Sequence, residues 1–517
     1  MNPIRPKPNT PDRNEPTTAA SSAAALPQVR RDAAAAGIAS PHADTIVAVS
    51  TAAGAGAIGI VRMSGPRAVE LGDGVFRPAH GGTLGASAAG RVRYGHVIDP
   101  ERGVVVDEVL AVAMRAPSTY TREDVVEIHC HGGPAAQRAV LQLLMHSGAR
   151  AAEPGEFTQR AYLNGRIDLT QAESVAGIVQ ARTSSALRAC VRQLSGGLSQ
   201  RLREVRAGLV GCLAQLEAGI DFTDEDIEEL DREALALELE KARADLGILL
   251  DTAFLGRALE NGVRTAIVGR PNVGKSSLLN ALLMRERAIV SDLPGTTRDT
   301  IEELIEVAGI PLHLIDTAGL RPSKDVLERL GIERSHEAMR EADLVLAILD
   351  LSAPIQPEDA EMVGRLDPRR TIIVGNKRDK VAAPPAAESG WPEYLASMLD
   401  GVVEPDGGLT EHRQMLAVSA LTGEGMDALR ALIEQVVVGE GGIELDEPIL
   451  ATERQRSLVE DSATAIDATL RAIRRGLAEE LIAEDVRVAI LALGRITGDE
   501  LVPDLIDEIF RRFCIGK

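Results

Sequence analysis

Two periodicities alternate along the chain and divide it. From Asp44 to about Asn164, short β-branched runs (TIVAVST, IGIVRM, DVVEIHC) lie between Gly and Pro punctuation, which predicts a compact α+β domain. Between Arg166 and about Asn261 apolar residues recur at helical spacing, as in LSQRLREVRAGLVGCLAQL, and Gly is sparse after Gly219; long helices are expected. Strand-like runs return in VRTAIVG, PLHLIDTAG, ADLVLAILD and TIIVGNKRD, separated by helical stretches, the alternation of a parallel sheet with crossover helices. That block ends near Val438, and after Gly441 and Gly442 a helical pattern runs from about Pro448 to Phe513. The economical organisation is a multidomain chain. An α+β domain occupies 43–164, a helical domain occupies two segments, 165–261 and 439–517, and an α/β domain is inserted at 262–438.

Residues 1–42 are rich in Pro, Ala, Ser and Asn and show no apolar period, so disorder is expected there. Arg5, Arg13, Arg30 and Arg31 would suit a transit peptide, but Asp12, Glu15 and Asp32 argue for a plain extension. The 517 residues exceed what one core organises. Aromatics make up only 2%, so base stacking on aromatic platforms is an unpromising mode of RNA contact. A net charge of -21 opposes indiscriminate phosphate binding; any nucleic acid must be met locally or through another protein. Cys130, Cys190, Cys212 and Cys514 are scattered, with no C-x-x-C pair, and read as reduced thiols of a cytoplasmic protein. No apolar run approaches the length that spans a bilayer, so no membrane is expected as partner.

Only seven of the 56 basic residues are Lys. A Lys inside a motif therefore marks a place that requires a compact ammonium. One stands in GRPNVGKS, residues 269–276, which follows a strand and precedes the helical SSLLNALLM. This is the phosphate loop G-x-x-x-x-G-K-[ST] in its required context. Glycine lets backbone N–H groups cradle phosphate oxygens, Lys275 supplies charge at the outer phosphates and Ser276 can ligate magnesium. DTAG at 316–319 follows a strand, so Asp316 can reach the magnesium shell and the Gly319 backbone can sense a γ-phosphate. NKRD at 376–379 also ends a strand, and Asp379 can accept two hydrogen bonds from a guanine edge, selecting GTP over ATP. Ser419 and Ala420 lie in VSALTGEG, a loop of the kind that backs the guanine oxygen.

With these motifs in order, SDLPGTTRDT at 291–300 resembles the first switch of the MnmE and Era branch of GTPases. The flanks PGEFTQRAYLNGRIDLTQAESV (154–175) and the terminal FCIGK resemble the MnmE (TrmE) family, and the resemblance runs from Asp44 to Lys517. It implies an N-terminal folate-binding domain and an inserted Ras-like G domain. It also implies a GTP-contacting set of Asn272, Val273, Gly274, Lys275, Ser276, Ser277, Ser291, Asp292, Leu293, Pro294, Gly295, Thr296, Thr297, Asp316, Thr317, Ala318, Gly319, Asn376, Lys377, Asp379, Ser419, Ala420 and Leu421. Ser276 and Thr297 would hold magnesium. Leu320 follows DTAG where Ras-like enzymes place the glutamine that orients water. By family likeness, potassium held by Asn272, Ser291, Leu293 and Thr296 stands in for an arginine finger, and Glu328 positions the water indirectly.

The same resemblance implies a reduced folate, 5,10-methylene- or 5-formyl-tetrahydrofolate, bound through Arg62, Glu127, Arg166 and Lys517. It implies a homodimer, a heterotetramer with the FAD-dependent partner MnmG, and tRNA as the object, with a carboxymethylaminomethyl or aminomethyl group added at the wobble uridine. Cys514 is open to two readings, a buried small hydrophobe or a reactive catalytic thiolate. One departure stands near the folate residues: the family's TGED is Thr121, Arg122, Glu123, Asp124 here. An Era-like ribosome-assembly switch would require a basic RNA-binding module after the G domain, but the C-terminal segment is acidic and helical. A metal-delivery GTPase would require His or Cys clusters. GAGAIG at 54–59 fits a dinucleotide fingerprint, yet IGIVRMSGP is β-branched and runs into Pro66, so a strand is expected rather than the helix such a turn must open.

Overall fold

The computed structural model describes residues 44–221, 231–285, 303–316, 342–382, 384–385, 388–400, 414–439, 448–500 and 503–517. The chain divides into two compact units, 1–173 with 497–517, and 174–496.

The first unit is built on a seven-stranded sheet ordered β3-β4-β5-β6-β2-β1-β7. Its strands are β1 (Ile46–Val49), β2 (Ile58–Ser64), β3 (Phe76–Pro78), β4 (Arg93–Asp99), β5 (Val104–Met114), β6 (Val125–His131) and β7 (Arg150–Ala151). All pairings are antiparallel except β1 with β7. Alternation does the sorting: Val61, Met63, Val126 and Ile128 are fully buried with Val140 and Leu144 of the helix Pro134–His146, and Arg62 and Glu127 fall on the opposite face. β2 begins inside GAGAIG, as the β-branching required, and no helix opens there.

The helix Glu156–Leu163 carries Arg160, only 2% exposed, into an ion network with Asp44, Glu123 and Glu156. Arg150 pairs with Asp44 and Glu156 as well, and Ser64 donates to Glu123. Residues 497–517, the end of the second helical segment, pack as part of this compact unit. Ile506, Phe510 and Phe513 are buried, and Gly155 (φ 70°) lies so close to Phe510 that a Cβ would meet its carbonyl oxygen at 2.6 Å. Only glycine serves PGEF at that position.

In the second unit, a six-stranded sheet runs β13-β12-β11-β8-β10-β9. The strands are β8 (Val263–Val268), β9 (Glu303–Val307), β10 (Ile310–Asp316), β11 (Leu344–Asp350), β12 (Thr371–Asn376) and β13 (Gln414–Ala417). Pairings are parallel except the β9–β10 hairpin. β8, β11 and β12 are buried on both faces, which is why they read as continuous apolar runs.

A separate core joins the helices Gly197–Asp221 and Arg232–Asp251 to Glu453–Arg474 and Glu479–Thr497, so segments from both sides of the insertion form one helical body. The two sides of the insertion touch where it leaves that body. Thr252 Oγ1 accepts from Leu450 N at 3.1 Å, and a Cβ on Gly256 would lie 2.0 Å from the Leu450 oxygen.

Candidate nucleotide site

The parallel strands β8, β10, β11, β12 and β13 all end on one edge, where loops of an open α/β sheet meet a ligand. β8 leads into Gly269, whose φ is 151° and where a Cβ would lie 2.5 Å from the Ile348 oxygen, so the position leaves no room for a side chain. Asn272 and Gly274 also have positive φ, 66° and 103°. The helix Lys275–Arg285 starts immediately after, so its unsatisfied N–H groups face the loop. Lys275 Nζ donates to the carbonyls of Gly269 (2.7 Å) and Arg270 (2.9 Å), which keeps the ammonium folded over the loop. Ser276 and Ser277 lie on the first turn, both exposed.

The residues expected to face the base tie the loops together. Asn376 is buried, donates through Nδ2 to Val273 oxygen at 2.9 Å and accepts from Ala420 N at 3.1 Å. A Cβ on Gly274 would collide with that amide at 2.2 Å. Ser419 Oγ donates to Asp379 Oδ1 at 2.7 Å and accepts from Thr422 N at 3.1 Å, so the carboxylate proposed for guanine is held before any base arrives. Leu421 is 83% exposed beside it.

Two supporting acids, Asp350 and Asp359, escaped the motif reading. Lys377 (φ 65°) donates to Asn272 oxygen at 2.9 Å and to Asp350 Oδ2 at 2.5 Å, joining NKRD to the phosphate loop. Burial opposes ionisation of Asp350, but Lys377 and the N–H and hydroxyl of Ser352 outweigh it and hold the carboxyl below its ordinary range. Arg270 donates to Asp359 Oδ1 at 2.7 Å, and Asp359 is fully buried in the capping box of the helix Pro357–Gly364. An acid closing the apolar run LVLAILD was the available signal for Asp350.

Asp316 closes β10 on the same edge. Ser291, Asp292, Leu293, Pro294, Gly295, Thr296, Thr297, Thr317, Ala318, Gly319, Leu320 and Glu328 lie outside the described residues.

In the first unit, Arg62 and Glu127 are direct cross-strand partners on β2 and β6, with Nε to Oε1 at 2.8 Å; His129 Nε2 lies 3.3 Å from the other Glu127 oxygen. The Arg62 guanidinium sits 5.8 Å from the Phe157 ring centre, and Arg166 lies 4.7 Å over the Tyr120 ring. Burial pushes the Tyr120 hydroxyl pKa up despite its bond with Thr158 and the nearby Arg166 and Arg62 charges. Ile515 bridges Pro154, and Gly516 lies against Val49 and Ser50, so the chain end is held on the strand beside β2. Lys517 is half-buried. Cys514 is exposed, which removes the buried-hydrophobe reading. Arg122 has φ 59° and donates to Asn164 oxygen at 3.0 Å. The left-handed backbone explains why glycine is the family's residue there.

Known proteins resemble the chain over 92% of its length. The "GTP-binding protein TrmE N-terminus" family matches residues 45–166, and the "MnmE helical domain" family matches 169–514. The tRNA modification GTPase MnmE of Geobacillus kaustophilus is 44% identical over 476 residues, 92% of this chain and 99% of that protein. The MnmE of Moorella thermoacetica is 46% identical over 475 residues, again 92% and 99%. Among solved structures, the G domain of the T. maritima FeoB iron transporter aligns at 23% identity over 33% of this chain and 96% of that one, with a TM-score of 0.23 that carries no weight beside these identities. Among the described residues no helix is long and apolar enough to cross a membrane. The chain belongs to the MnmE family of tRNA modification GTPases and is a GTP hydrolase acting in tRNA modification.

Proposed function

We propose that GTP binds along the carboxyl edge of the six-stranded sheet, with its phosphates in the loop 269–276 and guanine on Asp379 between Asn376 and Ala420. Asn376, Lys377 and Ser419 already brace these loops through the bonds described above, so little reordering is needed on binding. Ser276, at the helix start, and Thr297 are suited to magnesium with GTP, and Asp316 to its outer shell. The residues present also fit potassium: Asn272 is exposed, and Lys377 fixes its backbone by gripping its carbonyl. Ser291, Leu293 and Thr296 complete the proposed cage. Potassium there supplies charge that offsets the negative charge building in the transition state. Glu328 is the proposed organiser of the attacking water. The observation that carries this reading is the Lys377 bridge between Asn272 and Asp350.

In the first unit, the Arg62, Glu127, Arg166 and Tyr120 cluster offers charged and hydrogen-bonding edges suited to a reduced folate and its carboxylates, with Lys517 held nearby on the tail. We assign that unit the one-carbon donor and the exposed Cys514 a place at its edge. The whole acts as a cytoplasmic homodimer with the FAD-dependent MnmG in a heterotetramer, and adds a carboxymethylaminomethyl or aminomethyl group to the wobble uridine of tRNA. Lys275→Ala should abolish GTP hydrolysis with thermal unfolding unchanged, because the Lys275 ammonium bonds loop carbonyls and its side chain fills no core. Unchanged turnover in that variant would refute the phosphate-loop assignment.

A further inference from the structure

A chain carrying -21 overall must meet a polyanion at a place where the sign is locally reversed. Residues 174–216 are that place. They hold six arginines, Arg182, Arg188, Arg192, Arg201, Arg203 and Arg206, against one carboxylate, Glu204. Arg182 and the helix Ser184–Leu194 of the second unit hold three of these arginines and no acid; the next helix, Gly197–Asp221, adds three more but also Glu204, Glu217 and Asp221, and its Arg201 pairs with Asp245.

The first of these helices shows how the charge is presented. Its buried side is Ser185, Ala186 and Gln193, while Leu187, Arg188 and Val191 are exposed. Arg188 and Arg192 stand one turn apart on the same outer face. Arg182 lies just ahead of the Thr183 cap, beside a helix start whose first turn carries no acid, so the dipole adds to the guanidinium charge. Arg188 bonds only the hydroxyl of Ser185, at 3.1 Å, and among the described residues neither Arg182 nor Arg188 has a carboxylate partner. Other arginines of the same unit are neutralised in place: Arg456 by Glu453 and Glu460, Arg487 by Glu217 and Glu484, Arg474 by Glu240. Leu187 and Val191, 41% and 48% exposed, lie between the arginines, where they can contact ribose and base faces.

We infer that this arginine face of the helix Ser184–Leu194, with Arg182, is the surface on which the chain contacts the sugar-phosphate backbone of its tRNA. The inference rests on the family's action on tRNA and names the residues that would meet it. Contacts of this kind position the RNA and read no sequence, in keeping with the scarcity of aromatic platforms.

The test is equilibrium binding of unfractionated tRNA to the full chain across a salt series, with basal GTP turnover measured on the same samples. Arg182→Gln with Arg188→Gln should weaken binding roughly ten- to thirtyfold and lower the slope of log affinity against log salt by about 1.5 to 2, the share of two phosphate contacts. Basal GTP turnover should stay unchanged. A charge-matched pair elsewhere in the unit, Arg369→Gln with Arg475→Gln, should leave tRNA binding near wild type. Unaltered affinity and slope in the first pair overturn the inference, as does an equal loss in the control pair. If the wild-type chain hydrolyses GTP but retains no tRNA, the RNA is held by a partner protein and this surface is refuted while the family reading stands. Absence of GTP hydrolysis in the wild type would instead break the family reading itself.

Discussion

Asp350 shows what a single residue outside every motif contributes. Its carboxylate receives Lys377, and Lys377 in turn holds the Asn272 carbonyl. Asp350→Asn removes the charge and keeps the shape, so Lys377 loses a charge-assisted bond worth about 1.5–3 kcal/mol. GDP and GTP affinity should fall about tenfold or more in a fluorescent-nucleotide titration, with the hydrolysis rate at saturating GTP reduced less. An unchanged dissociation constant would show that Lys377 is held without it. Motif residues such as Lys275 were legible because glycine, charge and flanking periodicity all sit within a few positions. Asp350 was not, because its role depends on the parallel register that sets it opposite Asn376. Arg122, where the family has glycine, shows itself in the sequence only as a change of side chain. Its backbone is the larger fact, and a left-handed φ cannot be seen in a side chain's charge.

At the scale of elements, the helix Glu156–Leu163 depends on its buried arginine. Arg160→Ala would take the Arg160 charge from buried Glu123 and one of two arginine partners from Glu156 and Asp44, and the expected loss is about 3–5 kcal/mol in the first unit, seen as a lowered melting transition. A loss under about 1 kcal/mol would mean that Arg150 and Ser64 suffice. The same network sets a pH dependence. Burial opposes ionisation of Glu156 and Asp44, yet hydrogen bonds from Arg150, and for Asp44 from Arg160, win and depress both carboxyls below their ordinary values of 4.5 and 3.8. Their stabilisation is complete above those values and is lost as pH falls through the lower folded ones. Acid unfolding of this unit should therefore set in below about pH 4.5 and move upward in Arg160→Ala. The motif PGEFTQR, legible only as a family mark, has a structural cause here: a glycine pressed on Phe510 and a charge network under the sheet.

At the scale of the whole molecule, the interrupted helical body was legible because helical spacing stops before β8 and resumes after the inserted sheet. The destination of the chain end was not. Helical periodicity says that Ile506 and Phe510 need cover but cannot say which unit supplies it, and the first unit does. Deleting Cys514 to Lys517 removes the bridge to Pro154 and the contact of Gly516 with Val49, all within that unit. GTP turnover should persist near the wild-type rate while the modified wobble nucleoside disappears from cellular tRNA, read by mass spectrometry. Restoration of that nucleoside by the truncated chain would make the tail a mere terminus.

We propose that this GTPase hydrolyses GTP with the help of a monovalent cation in the place of a glutamine or arginine. The direct measurement is steady-state GTP turnover of the full chain in potassium against sodium at equal ionic strength, for wild type and Asn272→Ala. About tenfold or greater stimulation by potassium is expected in the wild type, and its loss in the variant. Equal rates in the two salts for the wild type would contradict it.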